Sequence, residues 1–199
     1  MQHFTAHRLT FNMRAVDTVE LNEHQGSALR GALFHALRRR FCAFARQPEA
    51  ECGACTLAQT CPVATLVSTL DPNHARGQDR PRPFTIQPPI VAGAGLNSSS
   101  GSASFTGHYW EREDGTGTFR YEPGEALTFG LTLYAQAMRL FPYVVLALQE
   151  FEEGGLGRKC EQYEGRWRRG RLQVCEIWAE NFLTSERQPV LRQGSRQVQ

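Results

Sequence analysis

Long apolar runs are missing from this 199-residue chain: the longest, Tyr143 to Leu148, falls far short of the ~20 residues that cross a bilayer, which excludes a helical membrane span. The opening Met1-Gln2-His3-Phe4-Thr5-Ala6-His7-Arg8 lacks a basic segment followed by an apolar one. The expectation is therefore no secretory signal, a cytoplasmic location and no membrane partner. No internal repeat at a solenoid period is visible. Lysine is scarce in the basic stretches, where Lys159 is the single cation that is not arginine. Overall charge of one sign is lacking too, with 22 Lys+Arg against 20 Asp+Glu.

What charge there is sits unevenly. Between Ser27 and Arg46 there are five arginines and no acid; between Arg158 and Arg171 there are six bases against Glu161 and Glu164. Such concentration suits a phosphate-bearing partner, and the planar guanidinium fork pairs bidentately with phosphate oxygens. On charge alone, two solvated faces describe it equally well. At this length the chain builds one domain with extras, or at most two small ones, and buries a core without disulfides.

Hydrophobic spacing sets the order of elements. Leu9, Phe11, Met13 and Ala15 alternate with polar residues, a half-buried strand. Leu33, Leu37, Phe41 and Phe44 fall at helical spacing from about Ser27, and the helix is predicted to end before Pro48. A cysteine-bearing stretch follows, then a short helix from Pro62 to Leu70 and an extended Phe84-Thr85-Ile86. Gly93 to Gly107, dominated by Gly and Ser, reads as a flexible loop. Phe119 and Tyr121 lead to a turn at Pro123-Gly124, and Leu127, Phe129, Leu131 and Leu133 alternate strongly. Val144, Ala147, Leu148 and Phe151 mark a second helix that Gly154-Gly155 ends. Leu172, Val174 and Ile177 suggest a last strand with imperfect alternation. The predicted fold class is α+β, a ferredoxin-like (RRM-like) βαββαβ unit over residues 1–179 with a Cys-rich insertion (42–70) after the first helix. Residues 180–199 read as a polar tail.

Four cysteines, Cys42, Cys52, Cys55 and Cys61, are spaced C-x9-C-x2-C-x5-C. In a reducing compartment this spacing points to a metal site rather than a disulfide framework. Four thiolates satisfy a closed, structural zinc site. The same ligands suit an iron–sulfur cluster, and Cys61-Pro62 is similar to ferredoxin-type runs. His74 is a substitute for Cys42, the ligand on the helix, and buried free thiols are the bland alternative. Cys160 and Cys175 have no spacing partner and read as packing residues.

Gly154-Gly155-Leu156-Gly157-Arg158-Lys159 sets glycines directly before two cations, so that backbone N–H groups can approach a phosphate; a helix C-terminal turn explains the same string. It lacks the G-K-[ST] ending of a Walker loop. Together with the helix Leu29-Arg30-Gly31-Ala32-Leu33-Phe34-His35-Ala36-Leu37-Arg38-Arg39, the string resembles the RAMP superfamily of CRISPR systems, closest to its precursor-crRNA-processing endoribonuclease branch. The C-x2-C-x5-C-P insertion, Arg80-Pro81-Arg82-Pro83-Phe84, Leu127 to Leu133, Phe141-Pro142-Tyr143 and Gly155-Leu156-Gly157-Arg158 extend that likeness from about Leu9 to Ile177.

The resemblance implies cleavage of CRISPR repeat RNA without a catalytic metal: the ribose 2′-hydroxyl attacks the adjacent phosphate and leaves a 2′,3′-cyclic phosphate and a 5′-hydroxyl. A histidine on the first helix would be the acid or base and cations would stabilise the transition state. That points to His35, with His24 and His108 as alternatives, and to Arg30, Arg38, Arg39, Gly155, Gly157, Arg158 and Lys159 as RNA contacts. Family enzymes carry two ferredoxin-like domains in tandem and this chain has room for one. A non-catalytic RNA-binding subunit of a CRISPR effector complex is accordingly the second reading. Other CRISPR-associated subunits or a separate second RAMP domain are its expected partners. A metal-bearing module whose arginines contact protein is the third.

Overall fold

The computed structural model describes residues 4–47, 50–68, 81–89, 107–111 and 115–192. His74 and the Gly/Ser loop up to Thr106 lie outside them.

The alternating segments become the centre of a five-stranded antiparallel sheet. β1 (Ala6–Ala15) sends Leu9, Phe11, Met13 and Ala15 inward, and β6 (Ala126–Tyr134) answers with Leu127, Phe129, Leu131 and Leu133. Their register sets Leu9 opposite Leu131, Phe11 opposite Phe129 and Met13 opposite Leu127. The two phenyl rings stack with centroids 4.9 Å apart. β3 (Phe84–Gln87) pairs with β6. β9 (Leu172–Glu180) pairs with the other side of β1. Its imperfect alternation has a physical cause: Asn12 lies opposite Glu176 but Met13 lies opposite Val174, so Cys175 is an extra, bulged residue. The bulge resets the pleat, and both Val174 and Ile177 reach the core.

β10 (Arg187–Arg192) completes the sheet in the order β10-β9-β1-β6-β3. This corrects the expectation of a polar tail from residue 180. β10 is exposed apart from Leu191 and is held by backbone pairing to β9, which leaves no apolar signature in the sequence.

Helices cover the apolar face. α1 (Gln25–Phe41) buries Leu29, Leu33, Ala36 and Leu37 and ends at Cys42, six residues before Pro48. Arg38, Arg39 and Arg40 occupy its last turn, where cations complement the helix dipole. α2 (Pro62–Leu66) is one short turn that Pro62 opens as its first residue, after Cys61 at the N-cap. α3 (Phe141–Gly154) begins with Pro142 in its first turn and buries Val144, Ala147, Leu148 and Phe151. α1 and α3 pack on each other, and α3 lies on β9.

Two smaller β units stand beside this body. β2 (Val19–Asn22), β5 (Gly117–Tyr121) and β4 (His108–Glu111) form a three-stranded sheet in the order β2-β5-β4. β7 (Leu156–Tyr163) and β8 (Arg166–Gly170) form a hairpin. Its two-residue turn, Glu164-Gly165, has φ of 48° and 74°, the left-handed pair that the twist of a tight hairpin favours. The architecture is thus α+β with antiparallel sheets, as the spacing implied.

Candidate functional site

One face of α1 carries Ala28, Gly31, Ala32, His35 and Arg39. These positions recur at helical spacing, and the small side chains leave a shallow floor. Opposite stand Glu20 and Asn22 of β2, then Gly155, Gly157 and Arg158 at the start of the hairpin, and Arg169 of β8. Together they enclose a cleft of about 430 Å3. Two cation-rich stretches more than a hundred residues apart in the chain therefore share one recess.

Two of the cleft's arginines, Arg39 and Arg169, are held by partners. Arg39 Nε lies 3.0 Å from Glu150 Oε2, a carboxylate on α3 that is nearly buried, and Arg40 Nη1 approaches the other oxygen at 3.9 Å. A Cβ at Gly154 would displace the Arg39 guanidinium, so the last glycine of α3 leaves room for it. Arg169 Nε donates to the carbonyl oxygen of Gly157 at 2.9 Å. His35 is exposed, with its ring edge-on to Phe34 at 5.3 Å.

The glycines of the loop have a packing reason of their own. Gly155 has φ of 68°, and its Cβ would stand 2.6 Å from the carbonyl oxygen of Arg169. Gly157 has φ of 82°, and its Cβ would overlap the carbonyl oxygen of Glu20. A side chain at Gly155 would push the start of β7 from β8, and one at Gly157 would push the hairpin from β2. Both glycines line the cleft, yet their first task is to bring the backbones of β7, β8 and β2 together.

The other predicted positions lie elsewhere. Arg30 Nη2 donates to Ser27 Oγ at 3.1 Å, and Arg38 Nη2 donates to the Gln47 carbonyl at 2.9 Å; neither lines the cleft, nor does Lys159. Arg38 stands three residues from His35 and Arg39 four, and only Arg39 shares the recess. His24 pairs with Glu23 at 3.6 Å and His108 with Glu125 at 3.3 Å, both outside it. Sequence reasoning passed over Arg169, Glu20, Asn22 and Glu150. Arg169 was legible as one of six clustered bases, whereas a lone acid on an otherwise apolar helix stripe carried no signal.

Part of the second cationic stretch is already neutralised. Asp17 accepts from Arg171 through Nε at 2.7 Å and Nη2 at 3.1 Å, and from Arg168 Nη2 at 3.2 Å. The hydrogen-bonded Arg171 guanidinium holds the Asp17 carboxyl below its usual range, against the upward push of burial.

Cys42, Cys52, Cys55 and Cys61 are half-buried free thiols, and all but Cys55 pack against the core. Among the described residues no three His, Cys, Asp or Glu side chains gather closely enough to hold a metal ion. Cys160 Sγ donates to the Thr18 carbonyl at 3.2 Å, and burial pushes the thiols of Cys160 and Cys175 up. Among the described residues no helix is long and apolar enough to cross a membrane.

A family model described as "AF_1859_N: N-terminal domain" matches residues 4–199. Among solved structures, the chain is similar to one in "Crystal structure of Csm3-Csm4 subcomplex in the type III-A CRISPR-Cas interference complex". That likeness has a TM-score of 0.47 and 10% identity and covers 93% of this chain and 80% of that one. It is also similar to a chain in "Type IV-B CRISPR Complex", with a TM-score of 0.41 and 14% identity over 96% of this chain and 97% of that one. No curated protein matches the chain.

Proposed function

The chain belongs to the family described as AF_1859_N, N-terminal domain, and we propose that it is a CRISPR-associated RNA-binding protein of the RAMP type, holding the phosphodiester backbone of repeat RNA in the cleft between α1, β2 and the β7–β8 hairpin. One observation carries this reading: Arg39 from the first basic stretch and Arg158 and Arg169 from the second line a single recess. Guanidinium groups on both walls of a cleft of nucleotide scale, α1 and the hairpin, suit bidentate contact with phosphate. In this reading β1, α1, β3, β6, α3 and β9 are the ferredoxin-like βαββαβ unit, supported by their chain order and by the central place of β1 and β6 in the sheet.

The site also supports the catalytic form of the reading. His35 stands exposed in the same cleft as the cations, where its imidazole would take the proton of the attacking 2′-hydroxyl or supply one to the leaving 5′-oxygen. Arg39 and Arg158 would stabilise the charge that builds on the phosphate oxygens. The non-catalytic subunit uses the same contacts without the proton transfer. In either form the proposed partners are other CRISPR-associated subunits or a second RAMP domain.

Labelled repeat RNA incubated with the protein in EDTA tests both forms. Cleavage to a 2′,3′-cyclic phosphate, lost in His35→Ala, supports the endoribonuclease. Salt-sensitive retention without cleavage supports the binding subunit, and absence of retention overturns the RNA reading. Structural zinc on Cys42, Cys52, Cys55 and Cys61, with an iron–sulfur cluster as its alternative, is a separate proposal. One metal per chain after anaerobic purification supports it, and a metal-free folded protein removes it.

A further inference from the structure

The cleft ends at Arg169, but the strand face that carries Arg169 continues. Along β8, Arg168 and Gly170 turn toward the body: Arg168 pairs with Asp17, and Gly170 lies against the backbone of Thr18. Alternation along a strand therefore turns Trp167 and Arg169 outward together, about 7 Å apart, and both are exposed. Arg169 is anchored in the cleft by the Gly157 carbonyl. Trp167 thus stands one step beyond the cleft rim on the same face, with 59% of its surface open to water.

Its surroundings are cationic and polar, not apolar. On its face Gln162 is its partner across the hairpin, Arg169 is the next side chain along β8, and Lys159 lies opposite Arg169; Arg166 and Arg168, its chain neighbours, belong to the other face. Tyr163, also exposed, already carries the Arg168 guanidinium 4.4 Å from its ring centroid. A protein partner that buried Trp167 would want an apolar patch around it. A lone indole plane on a polar strand face beside Arg169 and Lys159 instead suits a planar base on an anionic backbone.

We propose that Trp167 stacks a nucleobase of single-stranded RNA beside the nucleotide whose phosphate occupies the cleft. This rests on the RNA-binding reading above. It adds a recognition element that is tolerant of base identity, because every base presents a π face. It also makes the β7–β8 hairpin, rather than α1, the element along which the strand leaves the cleft.

Binding of the full chain to two oligoribonucleotides of equal length, one with bases and one abasic, tests this at fixed salt by fluorescence anisotropy. Trp167→Ala is expected to raise Kd roughly tenfold for the base-bearing strand and to leave the abasic strand and the salt dependence unchanged. Trp167→Phe, which keeps an aromatic face if alanine unsettles the hairpin, is expected to restore most of the affinity. The base-bearing strand is also expected to quench tryptophan fluorescence of the unsubstituted protein more than that of Trp167→Phe. If Trp167→Ala binds both strands like the unsubstituted protein while Arg39→Ala and Arg158→Ala bind weakly, the stacking is wrong and the cleft reading stands. If the unsubstituted protein binds neither strand, the RNA reading falls and the stacking with it.

Discussion

Single residues decide how close the hairpin comes to the body. At Gly157 a Cβ would collide with a backbone oxygen while φ is already left-handed, so neither rotamer change nor small shift relieves it. Gly157→Ala is expected to destabilise the fold by about 1–3 kcal/mol in urea unfolding. Gly31, on the cleft side of α1, meets nothing within 4 Å. Gly31→Ala is expected to stabilise by about 0.5–1 kcal/mol in the same assay, since only helix propensity changes. Asp17 fastens the other end of β8 and has a measurable pH signature. Its carboxyl is held below the usual 3.8 by the Arg171 hydrogen bonds. A depressed carboxylate contributes stability that is fully present above the unfolded value and is lost as pH falls through the folded one. Stability of the unsubstituted protein is therefore expected to decline below about pH 4 by a component missing from Asp17→Asn, read from unfolding midpoints across pH.

At the scale of elements, burial separates what a sequence reader sees from what is missed. β1 and β6 lie side by side with every second side chain buried, and Phe11 stacks on Phe129 near the middle of that pairing. Phe11→Ala is expected to cost about 3–5 kcal/mol in urea unfolding, the range for deleting a buried aromatic. Strands of this kind, and helices α1 and α3 with their apolar stripes, were legible because their periodicity is the imprint of the core. β9 was legible only roughly, because the bulge at Cys175 breaks the alternation. β2 and β4 are four residues each, too short for a pattern, and β7, β8 and β10 bury almost no side chains. Backbone hydrogen bonds hold such strands, and every sequence offers those equally.

For the whole molecule the relevant quantity is where charge ends up. Arg168 and Arg171 are spent on Asp17, and Arg30 and Arg38 turn to neighbours on their own segment. Arg39, itself paired with Glu150, shares one recess with Arg158 and Arg169. Removing one cation that neutralises a phosphate reduces the slope of log K against log salt by about 0.7 for a single strand. Arg39→Ala and Arg158→Ala are each expected to show a reduction of that order in RNA titrations, and Arg30→Ala and Arg38→Ala much less. The amino-acid sequence alone determined the fold class, the principal strands and helices, and the existence of two arginine-rich stretches, because periodicity and composition are properties of the chain. Which arginines face the cleft was settled by tertiary structure alone, as was the conversion of the loop glycines into contacts between strands. Both depend on distances between segments more than a hundred residues apart, and no local pattern encodes those.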